Sequence, residues 1–167
     1  MQVGMVIMSV HQQGYNHIRL STLDDVIYLA PRLRYEDKRE IIRASGELPY
    51  KGLLDSFRNS TACFTIYNFR DEPVSMFGIR KLENQTAIVW LLATDGLKEI
   101  QKPFLKQNRF LIKFLAQQHR ILWNFVDCEN HLHIKWLKWC GFKFLRKVKF
   151  GVLQKPFYEI ICVLTPN

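Results

Sequence analysis

The sequence predicts an α/β fold of the mixed, α+β kind: a mostly antiparallel sheet with helices on both faces. Short runs of alternating or continuous apolar residues recur along the chain, several of them in hairpin pairs, and amphipathic helical stretches separate the others. Hairpins join antiparallel neighbours, whereas strands separated by a helix require a crossover over one face. A chain of 167 residues is long enough for one such domain with a buried core.

A short strand and three helices are predicted first. The helix limits rest on residue types that favour termini: hydroxyl side chains before the first turn, proline within it and glycine after the last turn. Thr22 or Ser21 is expected to cap the first helix, and Gly46 to end the second. The predicted elements are a strand at 17–20 and helices at 22–30, 35–46 and 49–59.

The rest of the chain alternates strands with two helices. A strand that is apolar on both faces, at 85–93, is expected at the centre of the sheet. Residues 1–15 are expected to form a loosely held arm, and residues 16–167 a single domain. The remaining predicted elements are strands at 61–69, 73–82, 85–93 and 121–126, a helix from residue 99 or 100 to 118, a helix within 128–142, and strands at 142–150 and 156–164.

Positive charge is concentrated in the C-terminal part of the chain. Of the net charge of +9, residues 98–155 carry +10 and the remainder carries −1. Five cations are expected on one exposed face of the predicted long helix, with no acid between them to neutralise them: Lys102, Lys106, Arg109, Lys113 and Arg120. Such a face favours an anionic partner, nucleic acid or a nucleotide cofactor, and it equally fits a solvated surface without a ligand.

The segment CENHLHIKWLKWCGF, residues 128–142, raises the question of a metal site. Its candidate ligands, spaced three, two and seven residues apart, are Cys128, His131, His133 and Cys140. Zinc sites usually present closely paired ligands, and a helix turns residues two apart to different sides. A cysteine–histidine nucleophile would lack a third, orienting group. We expect no metal, reduced cysteines, and a helix packed through Leu137 and ended by Gly141.

The strand at 121–126, Asn130, the following helix and Gly141-Phe142 resemble the second half of the GNAT (Gcn5-related N-acetyltransferase) fold. The order of elements from His17 to Leu164 also fits a GNAT-like sheet. Within 121–144 the chain resembles more specifically a family of small virion morphogenesis proteins of short-tailed lytic phages. The residues that carry this second resemblance are Leu122, Trp123, Asn124, Asn130, His133, Ile134, Lys135, Trp136, Leu137 and Lys138.

The GNAT resemblance implies where an enzyme would bind acetyl-CoA, at the point where the fourth strand splays from the fifth. Residues that would meet the cofactor are Leu92, Ala93, Thr94, Lys98, Lys102 and Asn130. The expected glycine-rich pyrophosphate turn is missing, since Gly96 is its only glycine and Pro103 lacks an N–H. Leu137 occupies the position of the usual tyrosine acid and cannot transfer a proton. His133 and Glu83, with Asp95 as a further acid, are the remaining catalytic candidates.

Three hypotheses follow. The leading one is a non-catalytic phage virion or assembly protein without a cofactor, acting with other phage proteins in the host cytoplasm or the virion. The second is an acetyl-CoA-dependent N-acetyltransferase that modifies a host or phage protein. The third is a nucleic-acid-binding module in the basic C-terminal half, with aromatic residues such as Trp136 and Trp139. We expect no membrane span and no secretion, because the longest apolar block, AIVWLLA, is strand-sized and no export signal is recognisable.

Overall fold

The computed structural model describes residues 17–102, 112 and 118–165. Two short 3-10 helices, Ala30–Arg32 and Asp95–Ile100, accompany the regular elements. In chain order those elements are β1 (Ile18–Leu20), α1 (Leu23–Leu29), α2 (Tyr35–Ser45), α3 (Pro49–Asn59), β2 (Ala62–Tyr67), β3 (Pro73–Lys81), β4 (Thr86–Ala93), β5 (Ile121–Asp127), α4 (His131–Trp139), β6 (Lys143–Phe150) and β7 (Lys155–Val163).

The strands form one seven-stranded sheet in the order β1-β2-β3-β4-β5-β7-β6. Neighbouring strands run antiparallel except β4 and β5, which run parallel and lie at the centre. The predicted mixed, mostly antiparallel sheet is therefore confirmed, and so is the central position of β4. None of the helices within the described ranges is long and apolar enough to cross a membrane.

Helix termini form where the sequence places the residues that favour them. Thr22 caps α1 with a reciprocal capping box, since its hydroxyl accepts from the Asp25 amide and the Asp25 carboxylate accepts from the Thr22 amide. Gly46 ends α2 with φ of 74°, and Gly141 follows α4 with φ of 88°, both in the left-handed region that glycine tolerates. These predicted caps are confirmed.

Helices cover both faces of the sheet. On one face, α1–α3 pack against side chains that include Cys63, Met76 and Leu92. On the other face, Phe64 and Leu91 belong to a cluster that also includes Ile100 of the second 3-10 helix and that Trp136 of α4 contacts. Leu137 is buried in the neighbouring cluster under α4, as predicted. All four cysteines are free, and Cys63 and Cys162 are buried among apolar side chains.

The region predicted as one long helix differs at its start. Residues Asp95–Ile100 wind as a 3-10 helix, because the Thr94 hydroxyl accepts from the Gly96 amide and starts the turn earlier than predicted. Gln101, Lys102 and Ile112 are α-helical, whereas most of the rest of the predicted helix, with Lys106, Arg109 and Lys113 of the predicted cationic face, lies outside the described residues. Lys102 and Arg120 are both exposed. The proposed arm at residues 1–15 also falls outside the described ranges.

Candidate functional site

The two parallel central strands separate halfway along their length. β4 and β5 pair only from Thr86 opposite Ile121 to Ile88 opposite Trp123, although both strands continue further. Beyond that point their C-terminal halves diverge, and the resulting gap is called the split below. A split in a sheet exposes main-chain N–H and C=O groups that need other partners.

Asn124 supplies the partners where the split begins. In an uninterrupted parallel ladder, the carbonyl of Val89 would accept from the amide of Phe125. Instead, the side-chain Nδ2 of Asn124 donates to the Val89 carbonyl at 2.7 Å, and its Oδ1 accepts from the Phe125 amide at 2.8 Å. One side-chain amide thus satisfies both strand edges and fixes the position at which they separate.

At the open end of the split, the edge of β4 is bound by residues at the start of α2. The amide of Ala93 donates to Oδ2 of Asp37 at 2.9 Å, and the carbonyl of Ala93 accepts from the amide of Arg34 at 2.9 Å. Leu33 and Thr94 form an additional antiparallel bridge. The N-terminal end of α2 therefore occupies the edge of β4 from which β5 has moved away.

Asp37 is the centre of a buried polar cluster that joins both sides of the split. The guanidinium of Arg34 donates to its two carboxylate oxygens at 2.8 and 3.0 Å. Nδ2 of Asn130, the N-cap of α4, donates to Asp37 at 3.0 Å and to Glu40 at 2.9 Å. Asp37 and Asn130 are fully buried. Burial raises the pKa of Asp37, and the positive charge of Arg34 opposes that rise.

His133 lies in the split, where it is accessible from both faces of the sheet. Its Nδ1 is 4.0 Å from a carboxylate oxygen of Glu40, and its ring lies 5.5 Å, centroid to centroid, from that of Trp136. The side chain lines a groove of about 250 Å³ on the α4 face and another of about 330 Å³ on the face of α2 and α3. Of the candidates His133 and Glu83, His133 is the one that the fold brings to the split. The further acid, Asp95, lies in the turn after β4 and pairs with Lys98.

The groove on the α4 face is mainly apolar, with a basic rim. Leu91, Leu97 and Trp136 contribute to its walls, and Lys98 and Lys135 also line it. Lys98 is engaged with Asp95, whose carboxylate lies 2.9 Å from its ammonium. The opposite groove is lined by Glu40 and Asp55 together with aromatic side chains of β4, β5 and β6.

The turn after β4 uses its amides internally. The Gly96 amide donates to the Thr94 hydroxyl at 3.1 Å, and the Leu97 amide to the Thr94 carbonyl at 3.2 Å. The Thr94 amide donates to the carbonyl of Val74 at 2.8 Å. A phosphate cradle needs several N–H groups that converge on an empty space. These three amides are therefore not available to bind a phosphate group.

A second ionic cluster ties α2 to the loop before α4. Asp127 is fully buried, and its Oδ2 lies 3.0 Å from Nη1 of Arg43 and 3.6 Å from Nε of Arg39. Both arginines also pair with Glu129, at 2.6 Å for Arg43 and 3.3 Å for Arg39. Together with the Asp37 cluster, this network holds α2 across the C-terminal ends of both separated strands.

Several residues singled out in the sequence lie elsewhere or have structural roles. Glu83 is exposed in the turn before β4, so the half of that strand that pairs with β5 separates it from the split. The side chain of Leu92 packs against α1–α3, on the face of the sheet opposite α4. Lys102 is exposed beyond the 3-10 helix. Leu137, at the position of the tyrosine acid, is part of the core under α4.

The four side chains that were considered as metal ligands do not form a cluster, in line with the expectation of no metal site. His131 is exposed, whereas His133 faces Glu40 in the split. In the part of the chain that the structure describes, no group of three or more histidine, cysteine, aspartate or glutamate side chains could hold a metal ion. Absence of a metal stays a prediction for the whole protein.

Sequence reasoning missed the acidic and basic side chains of α2 that build the site. A detectable signal was present, because Arg34, Asp37 and Glu40 follow at intervals of three residues and thus lie along one side of a helix. Asn124 was noted only as part of a family pattern. Its role depends on where two strands separate, and that position is a tertiary feature.

A sequence model of one family matches part of the chain. The family is described as "Bacteriophage T7, probable scaffold protein Gp13", and the match covers residues 75–148, less than half of the chain. These residues include β4, β5 and α4, and hence both strands of the split. The search of curated proteins found no sequence match.

Solved structures of acetyltransferases superpose on most of the chain. A putative phosphinothricin N-acetyltransferase has a TM-score of 0.65 and 12% identity, over 89% of this chain and 98% of that one. AAC(6')-Ib in complex with ribostamycin and coenzyme A has a TM-score of 0.65 and 13% identity, over 88% of this chain and 92% of that one. Spermidine N-acetyltransferase from Vibrio cholerae, in complex with CoA and spermine, has a TM-score of 0.61 and 13% identity, over 88% of this chain and 94% of that one. At such low identity the likeness concerns the fold, and the chain has the GNAT fold.

Proposed function

We propose that this chain is a non-catalytic assembly protein of a phage particle, built on a GNAT scaffold. The observation that carries the proposal is the occupied edge of β4: Asp37 and Arg34 already bind the main chain of Ala93. In an enzyme of this fold, the separated strands hold the pantetheine of acetyl-CoA through main-chain groups. Here the protein's own side chains and backbone use those groups for folding.

The energetic consequence supports this proposal. A cofactor amide that bound to Ala93 would have to replace a hydrogen bond to a buried carboxylate, and such bonds contribute about 1.5–3 kcal/mol each. Three amides of the turn at Thr94 are bonded within the protein and are not free for the pyrophosphate, which adds a comparable loss. Two such losses, about 3–6 kcal/mol, weaken binding by about two to four powers of ten. We therefore expect no bound acetyl-CoA and no acetyl transfer.

The match to a probable scaffold protein family supports phage assembly proteins as partners, and the host cytoplasm or the particle as the place of action. The matched segment includes the split and most of β6, so the partner-binding surface is proposed within residues 75–148. Mass spectrometry of purified phage particles and of assembly intermediates tests this role. We expect peptides of this chain in at least one of the two, and their absence from both would contradict the proposal.

The cofactor part of the proposal is tested separately by titration calorimetry with acetyl-CoA. The full chain is expected to release no binding heat at cofactor concentrations that saturate a spermidine N-acetyltransferase measured in parallel. A melting temperature that does not change with acetyl-CoA would agree, because a specific ligand raises it by mass action. Micromolar affinity would make the enzyme hypothesis the better one.

An N-acetyltransferase acting on a host or phage protein is the second candidate. It is favoured by His133, which lines the grooves on both faces of the split and lies beside Glu40. An imidazole at that place could accept a proton from an amine. Acetylation of a protein that requires this chain and is lost in His133→Ala, with the fold intact by circular dichroism, would support this candidate.

A further inference from the structure

A group of lysines on α4 and β6 forms a continuous basic surface. Lys135 and Lys138 lie three residues apart on the exposed side of α4. Lys147 and Lys149 alternate along β6, opposite Tyr158 and Pro156 of β7, and so project from one face of the sheet. These four residues, Lys135, Lys138, Lys147 and Lys149, are called the lysine surface below.

The two parts of the lysine surface adjoin each other. Phe144 pairs with Ile160 in the register of β6 and β7, which places its ring on the same sheet face as Lys147 and Lys149. The ammonium of Lys138 lies 5.4 Å from the centroid of that ring. The end of α4 therefore continues directly into the exposed face of β6.

Within the described residues, the lysine surface forms no ion pair with the protein's own acids, although Lys135 lines a groove together with Glu36, Asp95 and Glu129. Acids of the surrounding segment, residues 118–165, are engaged with arginines: Asp127 and Glu129 with Arg43, and Glu159 with Arg146. Within the described residues, none of the four lysines has a carboxylate within ion-pair distance. The stretches outside the described ranges contain no aspartate or glutamate in their sequence. The chain thus holds no side-chain acid that is free to pair with them from those stretches.

We propose that the lysine surface binds the phosphate backbone of duplex DNA. Duplex DNA presents one charge per about 1.7 Å of its axis, so an extended row of ammonium groups can meet several phosphates at once. Alternate residues of a strand lie about 7 Å apart, which lets Lys147 and Lys149 reach different phosphates.

The residue type favours DNA over an acidic protein partner. Protein interfaces are enriched in arginine and depleted in lysine, because the planar guanidinium pairs well with carboxylates. Residues 135–155 contain one arginine, Arg146, and it is paired with Glu159, so the cations there that have no ion-pair partner among the described residues are lysines. Lysine is a hydrated point charge that suits phosphates without fixed geometry. Binding is consequently independent of DNA sequence, and it goes beyond the assembly role proposed above.

The salt dependence of binding is the first test. Four phosphate contacts give a slope of log K against log salt of about −3.6, which weakens binding about a hundredfold between about 50 and 200 mM salt. Fluorescence anisotropy with a labelled duplex and the full-length protein measures this slope. A slope near zero, or tighter binding to a single strand of equal length, would overturn the proposal.

The second test localises the contact with two triple variants of equal charge. Lys138→Gln, Lys147→Gln and Lys149→Gln remove three charges from the lysine surface, and Lys51→Gln, Arg58→Gln and Lys81→Gln remove three exposed charges elsewhere. The surface triple is expected to reduce the salt slope by about 2.7, and the control triple to leave it within error. Equal effects of both triples would reduce the proposal to a general attraction by net charge and so refute it.

Replacement of the same three residues by arginine completes the design. Binding is expected to survive in Lys138→Arg, Lys147→Arg and Lys149→Arg, because the charges remain. Loss of binding with a native circular dichroism spectrum would contradict the backbone mechanism. If the glutamine triple leaves DNA affinity intact but abolishes association with a phage protein, the surface serves a protein partner and the DNA proposal is wrong.

Discussion

The split and the lysine surface use charge in opposite ways. In the split, the carboxylate of Asp37 is fully buried and accepts four hydrogen bonds, two from the guanidinium of Arg34, one from Ala93 and one from Asn130. On the lysine surface, four ammonium groups are exposed and no described carboxylate lies within ion-pair distance of them. The first arrangement holds secondary structures together, and the second leaves its charges available for a molecule outside the chain.

Solvation explains the difference. A buried charge loses its water shell, at a cost of several kcal/mol, and persists only when partners replace the lost hydrogen bonds. An exposed lysine keeps its water and needs no partner to be stable. Substitutions should therefore change stability strongly at the split and weakly at the lysine surface.

The largest effect is expected for Asp37→Ala. This substitution leaves the guanidinium of Arg34, which is 5% exposed, without the two bonds that Asp37 accepts, and it removes the acceptor of the Ala93 amide. Breaking a buried ion pair from one side costs about 3–5 kcal/mol. Urea unfolding of the variant should show a decrease of this size in the free energy of unfolding.

Asp24→Ala is the matched control for Asp37→Ala. It changes the net charge equally but removes an exposed carboxylate from the first turn of α1. Its favourable interaction with the helix dipole is worth about 0.3–1 kcal/mol. Similar losses in the two variants would show that the cluster in the split is not a special source of stability.

Asn124→Ala should have the next largest effect. The substitution leaves the carbonyl of Val89 and the amide of Phe125 without the side-chain amide that satisfies both. A buried polar group that loses its partner costs about 1–3 kcal/mol, and since these residues are half-buried, a loss near the lower end of that range is expected. Asn59→Ala, at the exposed end of α3, is the control and should change the free energy of unfolding little. An Asn124→Ala protein as stable as the control would show that water replaces the side chain.

The sequence predicted the elements of the fold better than it predicted the site. Periodicity and terminal residues such as Thr22, Gly46 and Gly141 act locally, so the limits of helices were readable from neighbouring residues. The contacts of Asp37 with Ala93 and Asn130 join segments 56 and 93 residues apart. Such contacts depend on how the helices pack on the sheet. Sequence reasoning placed Asn130 in the site and overlooked Asp37 for this reason.

The pH dependence of stability should report the second ionic cluster. A hydrogen bond from Arg43 lowers the pKa of Glu129. A carboxylate with a lowered pKa stabilises the fold above its unfolded pKa, about 4.3, and this contribution disappears as the pH falls through the folded value. Glu129→Gln should thus be less stable than the parent near neutral pH and equal to it in acid. Unfolding measured across this range would contradict the assignment if the two curves stayed parallel.

The smallest effect on stability is expected for the lysine surface itself. Lys138→Gln, Lys147→Gln and Lys149→Gln remove three exposed charges that hold no described acid in place, so the free energy of unfolding should change by no more than about 0.5 kcal/mol per site. Mutual repulsion among the lysines makes a slight gain the expected direction at low salt, and added salt should remove the difference by screening. Urea unfolding of parent and triple variant at two salt concentrations checks both points. A loss of more than about 1 kcal/mol per site would mean that these lysines support the fold. The contrast with Asp37 would then fail, because both regions would use their charges to hold the chain together.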